Sequence, residues 1–176
     1  PLRAAMVLRL AREHDPRSPE LATALADALA RGGELAQAQA AIGEAIGDVD
    51  GPARAGLLLI RARLHGQRDD LAAANADLRE AYGLDPAASA AAFIDGLDQQ
   101  RGAAAAREDG EAERNATLEL AAVAARHGEL ERGRDLLVGW IERAPEDPAP
   151  LTLLCDLDAS IEHWDGVIAA ATRLAY

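Results

Sequence analysis

The property that most restricts this chain is that it repeats itself. The stretch Leu25-Ala26-x-x-Leu29-x-x-x-Gly33-Glu34-Leu35-x-x-Ala38-x-x-x-Ile42-x-x-Ala45 returns as Leu120-Ala121, then Gly128-Glu129-Leu130, Gly133, Leu137 and Ile141. A third copy runs through Leu57, Ile60 and Leu64 to Asp70-Leu71, Ala74, Leu78 and Ala81, and stops at Leu84-Asp85-Pro86. A fourth has Leu151, Leu154 and Cys155, followed by Trp164, Val167 and Ala171. In every copy apolar residues recur three or four apart on both sides of a short turn bearing Gly or Asp, the pattern of two amphipathic helices joined as a hairpin. A unit this small cannot bury its apolar face alone, so the copies must stack on one another.

The second helices are expected to begin near Leu35, Leu71, Leu130 and Trp164, spacings of 36, 59 and 34 residues. Two of these fit a period of about 34, and the long one holds a surplus of about 25. That surplus falls at Ala87 to Gly110, an alanine-rich stretch read as an inserted or degenerate helix, with Gly110 as the turn before a helix starting near Glu111. Its internal Gly96 and Gly102 should cost about 1 kcal/mol each relative to Ala. Proline marks the joints between copies at Asp15-Pro16, Asp50-Gly51-Pro52, Asp85-Pro86 and Ala144-Pro145 through Pro150. It lacks a backbone donor, disfavours helix in the residue before it, and suits the first turn of the helix that follows. The expected organisation is one solenoid over 1–176: a half-repeat at 2–16, repeats at 19–52 and 53–86, the inserted helix at 87–110, a repeat at 111–145 and an incomplete repeat at 148–176.

Composition agrees with stacked helices. The chain has 43 Ala and 25 Leu, five aromatics and no Lys, so all 18 basic residues are Arg. Small apolar side chains let helix backbones approach, whereas a sheet would need β-branched and aromatic residues. With 30 acidic residues the net charge is -12. That argues against nucleic-acid and anionic-lipid partners, which are held by a basic surface. Apolar runs such as Gly56 to Ile60 are far shorter than the roughly 20 residues that span a bilayer, so no membrane partner is expected either. One cysteine, Cys155, permits no internal disulfide, and a reducing, cytoplasmic setting is the default expectation.

In their phase and residue choice these copies resemble the tetratricopeptide repeat. The shared marks are a large-then-small apolar pair in the first helix, Gly-Asp/Glu-Leu at the turn, Ala in the second helix and Asp-Pro at the end. The resemblance implies an all-α, right-handed α-solenoid of helix-turn-helix repeats. It also implies a non-enzymatic scaffold that binds a protein or peptide in a concave groove formed mainly by first helices. The chain departs from the pattern in an extra residue before Asp70, the surplus helix and aliphatic residues in place of aromatics. A lone second helix at Leu2–His14, with Leu8 and Ala11 facing inward, and the lack of a polar helix after Trp164 suggest a section of a longer, bacterial-type repeat protein. Trp140 and Trp164 fall on second helices, where a partner or further repeat would cover them.

Residues that could carry chemistry are sparse. His14 and His127 lie at expected helix ends, where the dipole favours a cation, and no His pair stands at metal-ligand spacing. Cys155 occupies a small-residue position in a first helix, and the negative Asp156 and Asp158 oppose a thiolate. The acidic pairs Asp69-Asp70, Glu108-Asp109 and Glu146-Asp147 adjoin helix starts, where carboxylates cap free amides. Without Lys no phosphate-binding loop of the Walker type can exist. No metal or cofactor is expected.

The resemblance then places the groove on Thr23 and Asp27, Leu58 and Ala62, and Leu118, Ala122 and Ala125, with Asn115 and Arg126 at its rim. Such a surface is small and apolar, suited to an apolar peptide or helix rather than to a clamp for a C-terminal carboxylate. The competing readings are packing between repeats, a structural spacer or end-to-end self-association module, and a regulatory module of an enzyme lying outside this stretch.

Overall fold

The computed structural model describes residues 2–160 and 162–174. Ten helices run through them: α1 Leu2–His14, α2 Pro19–Arg31, α3 Leu35–Ile46, α4 Gly51–Gly66, α5 Leu71–Leu84, α6 Pro86–Ala106, α7 Gly110–Arg126, α8 Leu130–Arg143, α9 Pro148–Ser160 and α10 Trp164–Leu174. There is no strand among the described residues, and α3, α5, α8 and α10 start at Leu35, Leu71, Leu130 and Trp164, where the repeat spacing puts them. The fold is all-α, built from helix-turn-helix pairs of tetratricopeptide-like pattern.

Two local devices set the helix ends. The first is a left-handed residue followed by an amide that reaches five residues back. Gly33 (φ 83°), Asp69 (φ 58°), Glu108 (φ 56°), Gly128 (φ 90°) and Glu162 (φ 57°) hold that conformation. The next amide then closes the turn, from Glu34 to the Leu29 carbonyl, Asp70 to His65, Asp109 to Ala104, Glu129 to Ala124 and His163 to Asp158, at 2.8–3.1 Å. Gly adopts this geometry without strain, which is why Gly33 and Gly128 recur in the repeat. The turn after α6 closes in the same way, so this helix, read from the sequence as an insertion, ends like the first helix of a hairpin.

The second device is capping by a short polar side chain. Ser18 accepts from the Leu21 amide with Pro19 beside it, Asp70 from Ala73, Asp109 from Ala112 and Asp147 from Ala149, at 3.1–3.2 Å. In each acidic pair singled out above, one member therefore satisfies a free helix amide, a contact worth about 0.5–2 kcal/mol.

The chain divides into two compact units, Pro1–Gly96 and Leu97–Tyr176, and the boundary falls inside α6. In the first unit Leu25, Leu29, Ile42, Leu57, Leu58 and Leu64 form a continuous core, with Ala22, Ala26, Ala38 and Ala81 at the close helix contacts and Leu8 of α1 packed against it. The α4–α5 hairpin is fastened by Arg61, whose Nε and Nη2 donate to the two Asp77 oxygens at 2.8 and 2.6 Å. The N-terminal part of α6 lies close on α5. A Cβ at Gly96 would meet Leu78 Cδ1 at 2.5 Å, and the Phe93 ring sits 5.0 Å from that of Tyr82. Any larger residue at Gly96 would have to displace the Leu78 and Asn75 side chains.

In the second unit Leu137, Ile141, Leu151, Leu154 and Leu157 form the core together with Ala121 and Ala170. Helices α7 and α8 cross at Gly133, where a Cβ would come within 2.9 Å of the Ala121 carbonyl oxygen. Trp140, expected to need cover from a partner or further repeat, is already buried. Its Nε1 donates to Asp147 at 3.2 Å and the Arg143 guanidinium lies 4.9 Å over its ring. Trp164 is exposed.

Candidate partner-binding groove

The first helices α2 and α4 begin alike, each with Pro in its first turn, at Pro19 and Pro52. Helix α2 buries Ala22, Leu25, Ala26, Ala28 and Leu29, which leaves Glu20, Thr23 and Asp27 along its other side. Helix α4 buries Ala55, Leu57, Leu58, Ala62 and Leu64, which leaves Ala53, Gly56, Ile60 and Arg63 less covered. Between these two bands is a cleft of about 490 Å3, with Thr23, Ala24 and Asp27 on one wall and Gly56, Leu57 and Ile60 on the other. Arg63 Nη2 donates to Asp27 Oδ1 at 2.8 Å and ties the walls at one end. Nothing lies within 4 Å of where a Gly56 side chain would begin.

The residues expected in a groove divide accordingly. Thr23 and Asp27 line the cleft. Leu58 and Ala62 do not: they are 0% and 4% exposed and belong to the buried side of α4. The displacement has a physical cause. The first-turn prolines Pro19 and Pro52, from which the two helix faces are counted, stand 33 residues apart, whereas Leu58 and Ala62 stand 35 after Thr23 and Asp27. Counted from the two prolines, the residues equivalent to Glu20, Thr23, Asp27 and Ala30 are Ala53, Gly56, Ile60 and Arg63. Aligning the N-terminal prolines finds them, whereas aligning the later second-helix starts misses them. On α7, Leu118, Ala122 and Ala125 are half-buried and Asn115 and Arg126 are exposed. Leu118 and Ala125 pack against the core of the second unit.

A second cleft, of about 560 Å3, opens where α1, α2 and α3 meet. Its lining includes Arg9, Arg12, Leu25, Leu29, Ala41 and Glu44. Arg12 Nη1 donates to the Ala41 carbonyl and to Glu44 at 3.3 Å each, while Arg9 donates to Gln37.

The charged side chains fasten helices. Arg114 and Asp147 bind each other through two hydrogen bonds, and the Asp147 carboxyl also accepts from the Trp140 ring and the Ala149 amide. The Arg114 guanidinium, aided by the Ala149 and Trp140 donors, holds the Asp147 carboxyl below its ordinary value against the opposing effect of burial. Arg134 binds the buried Asp158, with His163 Nδ1 3.3 Å from the same oxygen. His65 lies between Asp70 and Asp77, 3.6 and 3.7 Å away, with Gln39 at 3.1 Å. Cys155 is half-buried, its Sγ 3.9 Å from the Val167 carbonyl, and burial, then Asp156 and Asp158, pushes the thiol up from its ordinary value. This opposes thiolate chemistry. Among the described residues no group of three or more His, Cys, Asp or Glu could hold a metal ion, and no helix is long and apolar enough to cross a membrane.

No protein-family profile matches the chain, and no curated protein matches it in sequence. Solved structures similar to it include BtubC (BKLC) from P. vanneervenii, 16% identical over 98% of this chain and 86% of that one with a TM-score of 0.46. The putative kinesin light chain from Podosopora anserina, with nearly identical TPR-like repeats, is 13% identical over 99% of this chain and 85% of that one, TM-score 0.44. MamA is 13% identical over 97% of this chain and 84% of that one, TM-score 0.42. Scores this low carry no conclusion about partners or activity. What ties this chain to tetratricopeptide-like repeats is its own phased residue pattern and its own helix pairs.

Proposed function

We propose that the chain is a non-enzymatic interaction scaffold, and that the cleft between α2 and α4 receives one face of an apolar peptide or short helix from a partner protein. The observation that carries this reading is an open, preformed cleft on first-helix faces, floored by Leu57 and Ile60 and unfilled at Gly56. Its size is within the range of about 300–1,000 Å3 usual for ligand sites. A helix seated there would place side chains three or four apart against Ala24, Leu57 and Ile60. Glu20, two turns from Asp27 on the same α2 wall, favours a partner with a basic residue flanking its apolar anchors. The half-buried band of Leu118, Ala122 and Ala125 on α7, rimmed by Asn115 and Arg126, is a second surface of the same kind.

The test is selection of helical and extended peptides from a displayed library against the whole chain, followed by amide chemical-shift mapping. Selected peptides should perturb Thr23, Ala24, Ala53 and Gly56, and Gly56→Gln should lower their affinity at least tenfold while circular dichroism stays unchanged. If peptides of equal affinity are selected by the Gly56→Gln chain, or the shifts map elsewhere, the cleft is not the site.

A further inference from the structure

The charged residues that line the α2–α4 cleft are Glu20 and Asp27, both acidic and both on α2. Seven residues separate them, a spacing that keeps them on one side of the helix, about 10.5 Å apart along its axis. Glu20 accepts a hydrogen bond from the Ser18 hydroxyl at 2.9 Å, which leaves its charge in place. Asp27 differs, because Arg63 Nη2 reaches it from α4 at 2.8 Å. The other cations of α4 are engaged elsewhere: Arg54 donates to Glu80, Arg61 donates to Asp77, and His65 lies between Asp70 and Asp77. Arg17 and Arg31, before and after this stretch of α2, are exposed and stand outside the lining. Arg63 is thus the cation that the chain itself brings to the acidic wall.

That contact is built to exchange. The Arg63 and Asp27 side chains are 58% and 43% exposed, and ion pairs this open to water hold little. Arg63 reaches its partner with one nitrogen, whereas Arg61 grips the buried Asp77 with two. Once released, the Arg63 guanidinium returns to water at no cost in buried charge. A cation arriving at Asp27 on a ligand therefore has to replace a weak internal bond, and it meets the repulsion of Arg63 while doing so.

We propose that Arg63 is an internal competitor for the partner of this cleft. That partner is a helix with two basic residues seven apart beside its apolar anchors, one meeting Glu20 and the other displacing Arg63 from Asp27. This rests on the reading of the cleft as a peptide site, and adds to it the charge pattern of the partner and the residue that tunes its selection. Specificity is a difference of affinities. A neutral peptide leaves the Asp27–Arg63 pair intact, whereas a basic one must break it, so Arg63 narrows the preference for basic partners.

Calorimetric titration of the whole chain with two synthetic helical peptides tests it. Both carry leucines three and four apart; one has arginines seven apart, and its twin has glutamines in those places. The wild-type chain should prefer the arginine peptide, and Arg63→Gln should widen that preference by about fivefold while the affinity for the twin stays within about twofold. Adding Asp27→Asn to Arg63→Gln should cancel the gain. Should Arg63→Gln lose helicity by circular dichroism, Arg63→Met, which keeps the stem of the side chain, takes its place. A preference left unchanged by Arg63→Gln overturns the proposal. So does an equal loss of affinity for both peptides, the mark of a pair that merely ties α2 to α4. If both peptides bind the Gly56→Gln chain as tightly as the wild type, or neither binds at all, the groove reading fails and this proposal with it; binding that depends on Gly56 with an unchanged preference overturns the proposal alone.

Discussion

The two units join their first helices in different ways. In the first unit α2 and α4 are linked at the surface by Asp27 and Arg63, both well exposed, and a cleft is left open between them. In the second unit Arg114 of α7 grips Asp147 at the start of α9, in a cluster that also holds the Trp140 ring. An exposed pair contributes about 0.2–1 kcal/mol, too little to draw helices together against a poor fit. A carboxylate with four hydrogen-bond donors around it specifies one geometry. The first arrangement leaves space for a ligand, and the second leaves little freedom in how α9 begins.

The contrast is broken most severely by separating the buried and open sides of α4. Leu58→Ala should cost about 2–5 kcal/mol, the usual loss for a buried Leu, whereas Ile60→Ala on the cleft wall should cost well under that and reduce peptide binding instead. Chemical denaturation followed by circular dichroism distinguishes them. Equal losses would mean that the cleft register set by the prolines is misplaced.

Glycines give a second contrast of opposite sign. Gly133→Ala forces a methyl group to within 2.9 Å of the Ala121 carbonyl oxygen and should destabilise by about 1–3 kcal/mol as the α7–α8 crossing widens. Gly56→Ala meets nothing and should stabilise by about 0.5–1 kcal/mol through helix propensity. Thermal melts of the two variants should move in opposite directions; a shared direction would show that the two units do not differ in packing at these sites.

The third contrast concerns acid. The Asp147 carboxyl has a folded-state pKa below its unfolded value, so the contribution of its partners is complete above the unfolded value and is lost as the pH falls through the folded one. Asp147→Asn should therefore be about 1–2 kcal/mol less stable near neutrality, by loss of a charged hydrogen-bond acceptor. The difference should shrink below pH 4 until the two chains converge. Trp140 fluorescence under denaturant reads it locally, and a gap that persists at low pH would assign the loss to packing.

Much of the secondary structure was legible because it is written within five or six residues. Gly33 and Gly128 mark left-handed turns, Asp70, Asp109 and Asp147 mark caps, and Pro19 and Pro52 mark first turns. The turns at Asp69, Glu108 and Glu162 were harder to read, since a non-glycine residue takes the left-handed place there and carries no compositional mark. Thr23 and Asp27 line the cleft between α2 and α4. Leu58 and Ala62 lie on the buried side of α4 because they stand 35 residues after Thr23 and Asp27, whereas the first-turn prolines Pro19 and Pro52 stand 33 apart. The cover expected over Trp140 from a partner or further repeat comes instead from Asp147, in the turn that follows, and from Arg143 in the last turn of its own helix.

The sequence by itself determined that this chain is a set of helix pairs and where most of those helices start, since periodicity, caps and turns act over one or two turns of chain. Only the tertiary structure decided which side of α4 is open and that Gly96 and Gly133 stand at close helix contacts. Those outcomes depend on the rotation of each helix about its axis against neighbours distant in sequence. That rotation is set by the fit of whole packed faces, which no short stretch of residues encodes.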